Sequence, residues 1–223
     1  MKKLFLIFTV IMSQISFAQI TKETGDFDVL RVFDRINVAL IPSIDNKIEI
    51  NGIRAEDVEI VNKNGELKVR MSLNKLLDGE EIKVKLFFKK LNNIEVNEGA
   101  FVTSDEIFNQ TSISLEAKEG AEIRLKLAVE KVKTRAVSGG IIKIHGTATN
   151  QDVAIGTGGI LEAKNLETEQ TTIKITTGGE AQIRASAYVD AQVRAGGTIT
   201  IFGNPKQIDK KIVLGGTIQE AKR

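Results

Sequence analysis

Seven glycines set at nearly equal distances constrain this chain more than anything else in it. Gly99, Gly120, Gly139, Gly158, Gly178, Gly196 and Gly215 are separated by 21, 19, 19, 20, 18 and 19 residues. Each stands between two stretches in which apolar and polar residues alternate. A unit of about 19 residues is too short to bury a core of its own, so the units must stack on one another. From Gly139 onward a second glycine follows the first, at Gly140, Gly159, Gly179, Gly197 and Gly216. Paired glycines allow the positive φ angles and close backbone approach that a sharp corner needs.

The flanks of that corner show which side is buried. Three residues before each glycine stand Val96, Ala117, Ala136, Ile155, Ile175, Val193 and Ile212, and three after it Val102, Ile123, Ile142, Leu161, Ala181, Ile199 and Ile218. Both columns are wholly apolar, while the intervening columns hold residues such as Glu116, Arg135, Lys174, Arg124, Lys143 and Glu162. Period-two alternation on both sides of a corner predicts two half-buried strands per repeat. Stacked at the roughly 4.8 Å spacing of paired strands, identical columns become aliphatic ladders inside a tube. The expectation is an all-β fold: a single-chain, right-handed parallel β-helix with about 19 residues per coil. A propeller blade needs about 40 residues, and ordinary parallel sheets need helical crossovers that this sequence lacks.

Composition fits thin aliphatic ladders: aromatic residues make up 5% and there is no Trp. With no Cys, disulfides and thiolate metal sites are excluded. Residues 1–18 read as a cleavable signal peptide, with Lys2 and Lys3 ahead of the apolar run Leu4 to Met12 and small residues at Ser16 and Ala18. The run is too short to span a bilayer comfortably, and no other stretch suits a membrane helix. Export to the periplasm, cell surface or medium is expected. Without Lys2 and Lys3 the chain carries 29 basic and 29 acidic residues, so no general attraction to nucleic acid is expected.

Residues 19–26 form a short lead, and residues 27–93 are β-rich without a clean repeat. Asn51-Gly52 and Asn64-Gly65 favour tight turns between strands, and Leu73 to Gly79 reads as a loop or a single helical turn. This segment is expected to supply irregular first coils and an N-terminal cap ahead of the regular coils at 94–218, because an uncovered parallel stack invites end-to-end pairing. Residues 219–223 make a short charged tail. The order of motifs is Phe33, Ile36 and Val38, then Asn62, Asn64, Gly65, Leu67 and Val69, then Phe88 to Gly99, then the glycine repeats. That order resembles the exported bacterial family described as putative auto-transporter adhesin, head GIN domain, over roughly residues 27 to 218. Lys90 stands where many relatives carry Pro. The resemblance implies a β-helical fold and export, and it brings no catalytic residues with it.

Few residues invite chemistry. The one histidine, His145, falls in an outward column with Lys126, Lys164 and Arg184, cations that disfavour both a metal and a charged imidazole. With Arg124 and Lys143 they would form a basic stripe over consecutive coils, suited to the carboxylates or phosphates of an anionic glycan. The plainer alternative is a wet surface paired with Glu122 and Glu162. Ser138, Thr157 and Thr177 precede the corner in three successive coils, where a hydroxyl ladder or a turn-stabilising bond explains them without a catalytic base. Asp105, Asp152, Asp190 and Asp209 share no repeat position, and the calcium-binding nonapeptide is missing. The chain is therefore expected to be a non-enzymatic, exported binding module with no cofactor, meeting an anionic glycan or an envelope or matrix protein through its outer faces. A carbohydrate-active enzyme and a structural protein polymerising through its end coils are the alternatives.

Overall fold

The computed structural model describes residues 19–221, so the expected leader and the last two residues of the tail lie outside the described residues. The early strands are β1 (Ile20–Glu23), β2 (Val29–Val32), β3 (Asn37–Pro42), β4 (Lys47–Asn51), β5 (Val58–Lys63), β6 (Glu66–Met71), β7 (Lys83–Phe88) and β8 (Asn93–Val96). The later ones are β9 (Phe101–Lys118), β10 (Glu122–Val137), β11 (Ile141–Gly156), β12 (Ile160–Ile175), β13 (Glu180–Ala195), β14 (Thr198–Phe202), β15 (Gln207–Leu214) and β16 (Thr217–Glu220). All sixteen join one sheet. Two single turns of 3₁₀ helix, Ala55–Asp57 and Leu73–Lys75, interrupt the N-terminal part, the second of them within the expected loop.

From β9 to β13 each coil is one long strand that pairs in parallel with the coils on either side. Ile123 lies opposite Ile142, Ile142 opposite Leu161 and Leu161 opposite Ala181, so the predicted columns superpose. The inward columns are fully or almost fully buried up to Val193 and Ile199; only Ile212 and Ile218, in the last coil, are not. Each fully buried Val, Leu or Ile contributes about 1.5–3 kcal/mol, which makes the ladders the main source of cohesion. The fold is an all-β solenoid with about 19 residues per turn, as the spacing predicts.

The corners are tight turns in which two successive residues take positive φ. At Ser138-Gly139 the angles are 51° and 76°, and the Gly140 N–H closes the turn on the Val137 carbonyl at 2.9 Å. Gly139 then donates to the Thr157 carbonyl of the next coil at 3.1 Å, as Gly120 does to Ser138 at 3.2 Å. The expected hydroxyl ladder does not form: among the described residues neither the Ser138 nor the Thr157 side chain makes a hydrogen bond. These residues serve as backbone. Gly140 itself is not at positive φ; a Cβ there would meet the Ala117 carbonyl oxygen at 2.1 Å. At Gly140 and Gly159 the second glycine is thus needed for closeness between coils, whereas Gly179, Gly197 and Gly216 also take positive φ, at 122°, 108° and 117°.

The N-terminal region is threaded out of sequence order. β2 and β3, joined at Asp34-Arg35 with φ of 59° and 60°, form a coil that lies between the coil of β6 and β7 on one side and that of β8 and β9 on the other. β5 pairs antiparallel with β6, β4 with β7 and β1 with β4, and these three strands cover the end of the stack. Asn64-Gly65 turns β5 into β6 as expected, with φ of 54° and 80°. Asn51-Gly52 does not make a hairpin, because β4 pairs with β7 and not with β5. Among the described residues no helix is long and apolar enough to cross a membrane.

Candidate functional site

The outward face of the half-coil that follows each corner carries the residues singled out as a basic stripe. Arg124 lies opposite Lys143, and Lys126 opposite His145. Lys143 lies opposite Glu162. The next step departs from the expected column: His145 faces Asn165 and not Lys164, because the longer coil of β12 inserts its extra residue there. Lys164 stays beside Arg184 nonetheless, since the Arg184 Nε donates to the Lys164 carbonyl at 2.7 Å.

The stripe divides into two parts. Arg124 Nη2 lies 2.7 Å from Glu122 Oε1 and its guanidinium packs over the Phe101 ring at 5.4 Å. Lys143 Nζ sits between Glu122 at 3.5 Å and Glu162 at 3.6 Å. For these two residues the plain reading holds, and both acids are held by basic neighbours. Lys126, His145, Lys164 and Arg184 make no ion pair with any acidic side chain among the described residues. His145 and Lys164 are exposed, and Lys126 and Arg184 half-exposed. No three His, Asp or Glu side chains among the described residues come together in a way that could hold a metal ion.

A coil with one tight corner must turn back elsewhere to close, and these cations border the middle of the long strands, the bend, where the pairing is irregular. Here the ladder register breaks, between Arg124 and Lys126 in one pairing, Lys143 and His145 in the next and Glu162 and Thr168 in the third. Side chains take over part of the work of the interrupted ladder. Thr168 Oγ1 donates to the Arg184 carbonyl at 2.6 Å, and Ser186 Oγ to the Thr168 carbonyl at 3.2 Å. The divergence opens a cleft of about 430 Å³, with Arg184, Glu167 and Glu169 among its walls, hydroxyls from Thr147 and Ser186, and Ala148 in its floor. That volume lies in the range of small-ligand sites.

Of the expected site residues, Arg184 lines the cleft, Lys126, His145 and Lys164 lie on strands leading to it, and Arg124 and Lys143 are neutralised away from it. Sequence reasoning missed Glu167, Glu169 and the hydroxyls. The signal that could have found them is the change of spacing from 20 to 18 residues between the coils. A mismatch in coil length must open the stack somewhere, and the corners are too tightly bonded to absorb it.

A family model described as "Putative auto-transporter adhesin, head GIN domain" matches residues 26–205. Among solved structures, a putative adhesin from Bacteroides fragilis superposes with a TM-score of 0.85 at 19% identity, covering 93% of this chain and 98% of that one. A putative adhesin from Parabacteroides distasonis gives 0.76 at 20% identity, covering 92% and 97%. A protein of the same organism described as a putative lipid binding protein gives 0.70 at 15% identity, covering 92% and 96%. At such identities the likeness is one of fold. No curated protein matches the sequence.

Proposed function

The chain belongs to the putative auto-transporter adhesin, head GIN domain family, and from that premise we propose that it is an exported, non-enzymatic binding module for anionic glycans. The observation that carries the reading is the split of the basic stripe. Arg124 and Lys143 have acidic partners, whereas Lys126, Lys164 and Arg184 have none among the described residues. Cations kept unpaired beside a cleft can exchange water for carboxylate or sulfate groups, and arginine adds a planar fork for such anions. Lys126, Lys164 and Arg184 stand on different coils of one face, with Lys164 displaced from the column of Lys126 and His145 by the register shift, and such a spread along the stack suits a linear polymer better than a compact ligand.

The test is binding of the protein, purified after expression from the full-length sequence, to immobilised heparan sulfate and polygalacturonate, with dextran as the neutral control. Lys126→Ala, Lys164→Ala and Arg184→Ala combined should weaken binding by about 100-fold, taking roughly 1 kcal/mol per lost contact. Arg124→Ala with Lys143→Ala should change it by less than about threefold. Equal binding to dextran, or an unaffected triple variant, sinks the glycan reading. Capture of an envelope or matrix protein on the same surface in place of glycan would also go against it.

One observation favours a second reading, a carbohydrate-active enzyme. Glu167 and Glu169 stand in the cleft beside Arg184, and two carboxylates flanking a sugar are the minimum equipment for glycoside hydrolysis. Glu122 and Glu162, by contrast, are engaged with Arg124 and Lys143. Turnover of any of these glycans that Glu167→Gln or Glu169→Gln abolishes would favour the enzyme.

A further inference from the structure

The two ends of the stack are unlike. At the N-terminal end β1, β4 and β5 cover the coils, and Ile48, Ile50, Leu67 and Met71 are wholly buried. At the other end, among the described residues, β15 pairs only with β13, and β16 only with β14. Ile212 and Leu214 continue the inward columns of Val193 and Ala195, yet they are 48% and 73% exposed. Val213, on the outer face, is 56% exposed. Among the described residues nothing lies over this eight-residue edge. Free N–H and C=O groups above an open apolar lumen form a template for another strand.

We propose that the occupant is a second copy of this chain, joined by antiparallel pairing of β15 with its own equivalent across a two-fold axis. The sequence of β15 is self-complementary about Lys210. Pairing centred there sets Ile208 against the second copy's Ile212 on the inner face, and Asp209 against the second copy's Lys211 on the outer face. Symmetry repeats both contacts. A centre at Asp209 sets that carboxylate against itself, and a centre at Lys211 sets Lys210 against Ile212 and Asp209 against Val213. Centres between residues would turn the inner face of one copy into the outer face of the other and break the lumen. Of these three centres only Lys210 sets Ile208 against Ile212 and Asp209 against Lys211; it also sets Gln207 against Val213 on the outer face and Lys210 against itself at the axis.

The two inward Lys210 side chains that meet at the axis are not left uncompensated. Lys210 lies over Ala191 and Glu220 over Ile201, both inward positions, and Lys210 Nζ reaches Glu220 Oε1 at 2.8 Å. Two such pairs would alternate in sign across the joint. The contact is isologous, and because the opposite end is covered, association closes at two copies and does not run on into a fibre. Two basic surfaces then share one particle, which strengthens attachment to a polymer without any new contact.

Sedimentation equilibrium of the protein purified after expression from the full-length sequence tests this. Wild type should show twice the chain mass at roughly 1–100 µM, an affinity range ordinary for such an edge. Asp209→Lys should weaken the dimer at least about tenfold, since it places like charges opposite one another twice. Adding Lys211→Asp should restore it, because the swap re-forms both pairs; circular dichroism verifies that each variant is folded. A single-chain mass throughout, a mass that keeps rising with concentration, or a double swap that stays dissociated would each overturn the proposal.

Discussion

Thr157 holds a backbone conformation that β-branched residues avoid, with φ of 48° at the corner between β11 and β12. Glu98, Glu119 and Ser138 occupy the equivalent place with φ of 55°, 55° and 51°. The neighbouring coil imposes that geometry: the corner glycine must donate to the carbonyl of this residue one coil further on, as Gly139 does to Thr157. The left-handed conformation costs an L-residue about 1–2 kcal/mol, less for Asn, whose short polar side chain tolerates it. Thr157→Asn should therefore raise stability by about 0.5–1 kcal/mol in urea denaturation. A decrease would mean that the Thr157 side chain does more than occupy a strained position. The glycine that follows such a residue is plain from spacing alone, but the strain of the residue before it is not, since nothing in Ser or Thr announces positive φ.

The coil has one stiff part and one compliant part. Corners are bonded twice, within the turn and to the next coil, and they stay in register through coils of 18 to 21 residues. The bend absorbs every difference in length: the offset between paired residues changes across Arg124 and Lys126, Lys143 and His145, and Glu162 and Thr168. One glycine inserted between Asp105 and Glu106, both exposed, should cost less than about 1 kcal/mol, as surface changes in compliant segments do. The same insertion between Ser138 and Gly139 should cost more than about 3 kcal/mol, because it turns every following inward residue outward. Thermal unfolding followed by circular dichroism separates the two, and similar losses would refute the division. The cleft lies in the compliant half, so its lining can vary without disturbing the ladders.

For the molecule as a whole, the delicate place is the joint between the out-of-order N-terminal coils and the regular stack. A run of alternating charges crosses it. Arg31 bonds Glu66 at 3.4 Å and Glu95 at 2.9 Å, Lys118 bonds Glu95 at 3.0 Å and Glu116 at 3.2 Å, and Arg135 bonds Glu116 at 2.5 Å. Burial pushes the Glu95 carboxyl up, but hydrogen bonds from Arg31 and Lys118 outweigh it and hold the group below the ordinary carboxylate range. A lowered carboxylate stabilises the fold above its unfolded pKa, and that contribution is lost as pH falls through the folded value. Glu98 acts in the opposite sense, because burial and the nearby Asp34 and Glu119 raise it, so its contribution declines as pH rises through its folded value. Glu95→Gln should cost about 1.5–3 kcal/mol at pH 7, the worth of charged hydrogen bonds, and much less at pH 3. Urea titrations at both values decide the point; an equal loss at the two would remove the charge run from any role at the joint.

The sequence by itself determined the inward columns, the coil length and the corners, because those depend on side-chain alternation and on glycine, both local properties of the chain. Only the tertiary structure decided that β6 and β7 stack outside β2 and β3, since strands of one pattern can pair in several orders and the competition among them is settled by the packing of all. It also decided why Lys126, Lys164 and Arg184 stand without acidic partners while Arg124 and Lys143 are neutralised. Arg124 finds Glu122 two residues away on its own strand, and Lys143 reaches Glu122 and Glu162 on the neighbouring coils; such pairs turn on side-chain placements of an ångström or two, which hydrophobic alternation does not encode.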